Sequence, residues 1–154
     1  MIIKAPYKFL GAPRPTVFLA GSIEMGTAVD WQKDVGKTLS EAGATVLSPR
    51  RDDFDPSQRQ SIDNDYFRGQ VEWELQGLEY CDFSLMYLAP DPKSPISLLE
   101  LGLFGPKGRM IVCCPDEFWR QGNVEIVCAR YGIMLRKSLE DAVDEILLKI
   151  ARWI

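Results

Sequence analysis

Apolar and polar positions along the chain follow two periods. Short apolar runs, typical of buried strands, occupy residues 16–20, 44–47, 83–88 and 109–114, with a shorter one near residue 133. Between these runs apolar residues recur at helical spacing over residues 29–42, 63–80 and 97–104, then from about residue 123, and again from Ser138. Strands and helices are therefore predicted to alternate along the chain.

This alternation predicts an α/β fold. Strands separated by helices form a mostly parallel sheet that is covered on both faces, with right-handed crossovers. We expect a flavodoxin-like three-layer sandwich whose five strands lie in the order 2-1-3-4-5. Because 154 residues is the size of one ordinary domain, we expect a single domain over residues 1–154.

The predicted strand order singles out two loops as candidate ligand sites. The carboxyl ends of the first and third strands straddle the point where the order reverses, and ligands bind there in open α/β sheets. One loop, residues 21–26, contains Gly21 and Ser22. The other, residues 89–97, contains Ser94 and ends at Ser97. These four residues are candidates for substrate binding.

Charge and hydropathy narrow the class of partner. A net charge of −4 without a basic run argues against a nucleic-acid polymer, which clustered Lys and Arg would hold. No apolar run reaches the ~18 residues of a membrane span, and the first ten residues do not resemble a secretory signal. We therefore expect a soluble cytoplasmic protein that acts on a small molecule.

Residue types constrain the chemistry further. With no histidine in the chain, the usual metal ligand and the usual general base are missing, and we expect neither a metal nor another cofactor. Cys81, Cys113, Cys114 and Cys128 lie in apolar segments and are expected to be buried free thiols. Acid–base chemistry is left to carboxylates, tyrosine, lysine or thiol.

Glu100 is a candidate nucleophile. We predict that it lies in the first turn of the helix after the third strand, where the helix dipole favours the ionised carboxylate. The spacing of Ser97 and Glu100 also fits a capping box, in which Glu100 would only satisfy a free backbone N–H.

A second carboxylate, Glu74, lies on the preceding predicted helix. Gln70 precedes it by one helical turn and could present its amide on the same face. A solvated helix face with an ordinary surface glutamine is the alternative for both residues.

Other charged and aromatic residues are open to two interpretations. The cluster Arg50-Arg51-Asp52-Asp53 could close over a ligand or simply be solvated. Trp31, Trp73 and Trp119 could stack on a base, or could belong to the core or to a subunit interface.

Four segments, taken in order, resemble the nucleoside 2-deoxyribosyltransferase family. They are Phe18-Leu-Ala-Gly-Ser-Ile23, Glu74-Leu-Gln-Gly-Leu-Glu-Tyr-Cys-Asp82, Leu99-Glu100-Leu-Gly102 and Gly122-Asn123-Val124. The first segment is also similar to the nucleotide N-hydrolase branch of the same superfamily. Together they cover most of residues 16–131.

The resemblance implies roles for several residues. Glu100 would attack the anomeric carbon of a deoxynucleoside, and Glu74 would assist the leaving base or bind the sugar. Phe18 and Gln70 would lie at the substrate, and Ser94 matches a serine that contacts phosphate or sugar. Asn123 would reach a neighbouring subunit's site, so the resemblance implies a homo-oligomer; a helix N-cap is the alternative role for Asn123.

Three positions depart from the family pattern. Glu74 stands where the transferases carry Asp, and Phe18 stands where they carry Tyr. Glu24 replaces an Arg that helps the hydrolases hold phosphate, and a carboxylate there disfavours a 5′-monophosphate because like charges repel.

The leading functional hypothesis is transfer of 2-deoxyribose between nucleobases through a deoxyribosyl-Glu100 ester, with a deoxynucleoside and a nucleobase as partners. A deoxynucleoside or deoxynucleotide N-glycosidase would use the same nucleophile, with water as acceptor. The alternative that is not an enzyme is a catalytically inactive nucleotide-binding sensor, because fold alone does not establish activity.

Overall fold

Parallel strands form the centre of this protein. The computed structural model describes residues 1–23 and 29–153. In this part of the chain six strands form one sheet in the order β1-β3-β2-β4-β5-β6, and every adjacent pair is parallel. The strands are β1 (Ile2–Lys4), β2 (Thr16–Gly21), β3 (Thr45–Ser48), β4 (Phe83–Tyr87), β5 (Met110–Cys113) and β6 (Met134–Arg136).

Helices cover both faces of the sheet, which makes the fold a flavodoxin-like three-layer sandwich. They are α1 (Trp31–Glu41), α2 (Asp65–Tyr80), α3 (Pro95–Phe104), α4 (Gln121–Tyr131) and α5 (Leu139–Ala151), with a 3₁₀ turn at Gly105–Lys107 after α3. The predicted α/β class is therefore confirmed. The predicted order 2-1-3-4-5 is also confirmed, since it corresponds to β3-β2-β4-β5-β6.

The predicted number of strands was too small by one. The additional strand, β1, pairs with the outer edge of β3, with Ile2 opposite Val46 and Lys4 opposite Ser48. Three residues followed closely by Pro6 are too few to show a period, so only pairing with β3 identifies them as a strand.

The two faces of the sheet bury different side chains of the same strand. On β2, Val17 and Leu19 pack on the face covered by α1 and α5, whereas Phe18 and Ala20 pack on the face covered by α2, α3 and α4. This alternation is the two-residue period of a strand that is buried on both sides.

Side-chain caps fix the start of three helices. Asp30 accepts a hydrogen bond from the Lys33 backbone N–H at the start of α1, and Asn64 accepts one from Phe67 at the start of α2. Ser138 accepts one from Asp141, which confirms the predicted start of α5. Each cap satisfies an otherwise unpaired N–H.

The segment between β1 and β2 packs along α2. The Trp73 indole Nε1 donates a hydrogen bond to the Tyr7 carbonyl oxygen at 2.8 Å, and the Phe9 ring packs edge-on against Trp73 with centroids 5.2 Å apart. Phe9 is buried. These contacts fix α2, which carries Glu74.

All four cysteines are free and buried, as predicted. Among the described residues there is no helix with the length and apolar character needed to cross a membrane.

Candidate active site

Glu100 lies in the second turn of α3, not in the first. The predicted helix start at Ser97 was wrong, because α3 begins at Pro95 with Ser94 in the N-cap position. Proline suits the first helical position, since its missing N–H would be unpaired there anyway. Ser97 becomes the third helical residue and Glu100 the sixth, so the capping-box interpretation of Glu100 is also wrong.

The side chain of Glu100 points into the protein, with 7% of its surface exposed. Carboxylates are seldom buried unless they are paired or functional. On the same helix Ile96, Leu99 and Leu103 are between 52% and 60% exposed. Thus α3 buries a carboxyl and presents large aliphatic side chains to the outside.

Glu74 occupies a partly buried position on α2, and Gln70 contacts it directly. The Gln70 Nε2 atom donates hydrogen bonds to Glu74 Oε1 at 2.8 Å and to the Pro49 carbonyl oxygen at 2.9 Å. Pro49 directly follows β3, so these bonds hold the two side chains near the carboxyl end of that strand. The surface interpretation of both residues is therefore not supported.

The charge of Glu74 acts on Glu100. Burial raises the pKa of Glu100 to about 8, and the like charge of Glu74 adds to this rise. Burial also raises the pKa of Glu74 to about 7, opposed by the hydrogen bond from Gln70. Near neutral pH the pair can therefore hold one proton and one negative charge, which suits both an acid and a nucleophile.

The loops after β2 and β4 are joined by hydrogen bonds at the predicted reversal point of the strand order. Ser22 Oγ lies 2.7 Å from Ser94 Oγ, accepts a hydrogen bond from the Ala89 N–H at 2.9 Å, and lies 3.3 Å from the Tyr87 carbonyl oxygen. Ser94 adopts a left-handed conformation with φ of 50°. Ser22 and Ser94, predicted separately from two loops, are thus brought into one cluster.

Gly21 permits the close approach of β2 to Tyr87 at the end of β4. It ends β2 with a φ of +127°, and a Cβ at this position would lie 2.1 Å from the Tyr87 carbonyl oxygen. A residue with a side chain would push β2 and β4 apart, so Gly21 acts through the backbone.

Phe18 and Ser97 are enclosed by protein. Phe18 is 1% exposed, and its ring centroid lies 6.1 Å from that of Trp73. A Cβ on Gly77 would lie 2.6 Å from the Phe18 ring, so α2 packs tightly over it. Ser97 is buried on the inner face of α3, on the same side of the helix as Glu100.

A cavity of about 730 Å³ lies beside Ser22. Trp31 and Tyr87 supply aromatic lining, and Asp30, Asp34 and Asp91 supply carboxylates. Asp30 and Asp34 lie one helical turn apart at the start of α1, but sequence analysis did not identify this group, because only the fold brings Asp91, from the loop after β4, beside them. Glu24, predicted to disfavour phosphate, and residues 24–26 of the first predicted loop lie outside the described residues.

Asn123 is an exposed residue of α4 and is not its N-cap. The helix begins at Gln121, which makes Asn123 its third residue. Val124 and Cys128 on α4 face the core, whereas Ile126 is 70% exposed. Asn123 and Ile126 therefore point outward, one turn apart on α4.

The charge cluster after β3 is paired within the chain. Arg51 forms a two-point contact with Asp53, at 2.9 and 3.0 Å, and its guanidinium lies over the Tyr66 ring. Lys4 contacts Asp52 at 2.7 Å. These contacts favour an ordered structural loop.

The three tryptophans differ in exposure. Trp31 and Trp73 are buried, with Trp31 packed edge-on against Tyr87. Trp119 is 47% exposed, and Lys93 and Arg120 lie over its ring. Trp119 is thus the tryptophan of the predicted set with a face near solvent.

Within the described ranges, no group of three His, Cys, Asp or Glu side chains is placed to hold a metal ion. The chemistry available here rests on Glu100, Glu74 and the polar groups around them. Helices on either side of β4 in the sequence thus carry two carboxyls, Glu74 and Glu100, on one face of an open parallel sheet, and these two residues form the candidate site.

Comparison with known families agrees with this description. Residues 14–118 match the family described as nucleoside 2-deoxyribosyltransferase like, and the chain belongs to that family. The resemblance drawn from the sequence is confirmed. The matched range contains Ser22, Glu74, Ser94 and Glu100 and ends before Asn123. No curated protein matches the chain.

Proposed function

We propose that this protein transfers 2-deoxyribose between nucleobases, with Glu100 as the nucleophile and Glu74 as its acid–base partner. The observation that carries this proposal is the buried carboxyl of Glu100 on α3 together with the partly buried carboxyl of Glu74 on α2, whose charge helps to raise the pKa of Glu100. Cleavage of a glycosidic bond with retention uses two carboxyls, one as nucleophile and one as proton donor. Family membership supports the same chemistry.

In the proposed first step, an Oε atom of Glu100 forms a bond to C1′ as the bond from C1′ to the base nitrogen breaks. The electron pair of the broken bond goes to the base, which receives a proton through Glu74. The product is a deoxyribosyl ester of Glu100. An acceptor base then attacks C1′, regenerates the Glu100 carboxylate and gives up its proton through Glu74.

Burial of Glu100 favours transfer over hydrolysis. An ester at a position with 7% exposure is shielded from bulk water, and shielding gives an acceptor base the advantage over water. The hydrolase alternative requires water to reach the same atom.

The acidic cavity beside Ser22 favours a nucleoside over a nucleotide. Asp30, Asp34 and Asp91 contribute carboxylates, and no Lys or Arg is among its described lining residues. Ser22 is the residue that this cavity shares with the candidate site. A 5′-phosphate bound beside Ser22 would meet the like charge of Asp34 and Asp91, while Asp30 lies 3.9 Å from Arg50. We therefore propose deoxynucleosides as the substrates.

A reaction with a deoxynucleoside tests the central proposal. With a second base present, the new deoxynucleoside should form faster than free deoxyribose, and intact-mass measurement of quenched enzyme should detect one added deoxyribosyl group. Glu100→Gln should show neither result, while Glu79→Gln, at an exposed glutamate of α2, should behave as wild type. Product formation by Glu100→Gln within tenfold of wild type would exclude Glu100 as the nucleophile. Binding of the deoxynucleoside without turnover would favour the alternative of a catalytically inactive nucleotide-binding sensor.

We further propose a homo-oligomer whose sites are completed by Asn123 of a neighbouring subunit. Asn123 and Ile126 face outward on α4, and the aliphatic residues of α3 are exposed on the same side of the sheet. Exposed apolar surface of this kind is typical of an interface.

Subunit mixing tests this assembly. Glu100→Ala and Asn123→Ala subunits should each be inactive alone, because each lacks one half of every site. In an equal mixture about a quarter of wild-type activity should return, since half of the dimers are hybrids and each has one intact site. No recovery despite confirmed subunit exchange would mean that each chain builds its site alone.

A further inference from the structure

Gln70 is held in one orientation by a backbone carbonyl. A carbonyl oxygen accepts hydrogen bonds and cannot donate them, so the NH₂ group of Gln70 must be the end that faces Pro49. The other hydrogen of the same NH₂ group is donated to Glu74 Oε1 at 2.8 Å. Pro49 thereby determines that Gln70 presents a donor to Glu74.

This orientation leaves Gln70 Oε1 buried without a hydrogen-bond partner among the residues that the structure describes. An unpaired buried acceptor costs free energy, so such groups need an explanation. This orientation does not give Gln70 the full set of hydrogen bonds that its own amide could make, so the hydrogen-bonding needs of Gln70 do not explain it. Delivery of an N–H to Glu74 does.

A donated N–H stabilises the ionised form of its acceptor. The bond from Gln70 therefore opposes the rise in the pKa of Glu74 that burial causes, whereas Glu100 receives no such help and is exposed to the like charge of Glu74. In the described part of the chain, no Lys or Arg lowers the pKa of either carboxyl. Gln70 is thus the group that makes the two carboxyls unequal.

We propose that Gln70, oriented by the Pro49 carbonyl, is a positioning residue that keeps the negative charge of the carboxyl pair on Glu74 and the proton on Glu100 until substrate binds. This inference rests on the proposed function for its role in turnover. It adds that the nucleophile is stored in its neutral form. On reaction the Glu100 proton passes to Glu74 and then to the base nitrogen as the bond from C1′ breaks, so the proton ends on the leaving base.

Titration of the two carboxyls tests the proposal directly. Side-chain carboxyl signals of ¹³C-labelled glutamate are followed by NMR over about pH 5 to 10, with Glu74→Gln and Glu100→Gln used for assignment. In the wild type, Glu74 should titrate before Glu100. In Gln70→Met, which removes the N–H at similar side-chain length, the Glu74 midpoint should rise by about one pH unit and the Glu100 midpoint should fall.

Gln76→Met is the matched control, because Gln76 lies on the exposed face of the same helix. It should leave both midpoints unchanged. If Gln70→Met does not fold, Gln70→Asn serves instead, since its shorter side chain withdraws the amide from Glu74. Midpoints in the folded Gln70 variant equal to those of the wild type, or a wild type in which Glu100 titrates first, would overturn the proposal.

Turnover supplies a second measurement. In Gln70→Met, kcat should fall about tenfold with KM within about twofold, because both bonds of the amide nitrogen are made to protein atoms, Glu74 Oε1 and the Pro49 carbonyl oxygen. The NMR titration measures which of Glu74 and Glu100 is ionised at each pH, and it does not require the enzyme to turn over. Failure of the proposed function, seen as retained cleavage by Glu100→Gln, is therefore distinguishable from failure of this inference.

Discussion

Helices α1 and α3 lie on opposite faces of the sheet, and they differ in which charged and aliphatic side chains they expose. On α1, Leu39 is 0% exposed and packs on the sheet, while Lys33 and Asp34 face outward. On α3, Glu100 is buried and Leu99 is 60% exposed. The first arrangement is that of an ordinary amphipathic helix. The second departs from it at the buried Glu100 and the exposed Leu99, although Leu101 and Phe104 of α3 still pack in the core.

The difference separates the part of the molecule that stabilises the fold from the part that carries chemistry. A helix that buries a carboxyl loses stability, and such local violations are expected at functional sites. The aliphatic residues of α3 that face outward suggest in turn that its outer side meets another surface. The buried Glu100 therefore supports the proposed site on the inner face of α3, and the exposed aliphatic residues support the proposed interface on its outer face.

Truncation of a leucine should have the largest effect on stability, and it should depend on the helix. Leu39→Ala should lower the free energy of unfolding by about 2–5 kcal/mol, because it leaves a cavity in the core. Leu99→Ala should cost less than about 0.5 kcal/mol in the monomer, because its side chain is exposed. Urea unfolding at low protein concentration measures both values. Equal losses would contradict the assignment of Leu99 to the outer face.

Glu74→Gln should alter both the rate and its pH dependence. Loss of proton transfer should lower kcat by about 10²-fold. The wild-type pair holds one proton until Glu100 ionises near pH 8, so kcat should fall above about pH 8. Because the charge of Glu74 raises the pKa of Glu100, its removal should move this alkaline limb of the kcat profile to lower pH. Glu72→Gln, an exposed neighbour on α2, is the control. A rate and profile equal to those of the control would remove Glu74 from the mechanism.

The strand order could be predicted because each element carries its own period, and the reversal point of that order lies between Ser22 and Ser94, which do meet. Local signals were less reliable at helix starts: Pro95 at the first position of α3 was a usable signal that the spacing of Ser97 and Glu100 obscured. Strand β1 had no usable signal, because its identity comes from pairing with β3.

Residues of the candidate site could be proposed from the sequence, but their contacts could not. Glu100 and Glu74 could be proposed from a resemblance, whereas the effect of Glu74 on the pKa of Glu100 depends on how α2 and α3 pack across β4. The Pro49 carbonyl could not be proposed at all, since every residue has a backbone oxygen and sequence does not show which one a side chain will meet.

The smallest expected effect is a change in stability at Glu100, and its sign follows from burial. Burial raises the pKa of Glu100 to about 8 from the ordinary value of 4.5, so the folded state favours the protonated form. The stabilisation is complete below the unfolded-state pKa and is lost as pH rises through about 8. Glu100→Gln cannot ionise, so relative to the wild type it should gain at least about 1 kcal/mol between pH ~5 and ~8.5, or about 2–4 °C in melting temperature.

Glu79→Gln removes an exposed carboxylate from α2 and should shift the melting temperature equally at both pH values. Thermal melts of the three proteins measure the difference. A gain for Glu100→Gln that is the same at both pH values would mean that the fold does not hold Glu100 in the protonated form. The contrast between α1 and α3 would then lie in which side chains are buried, without an effect on the ionisation of Glu100.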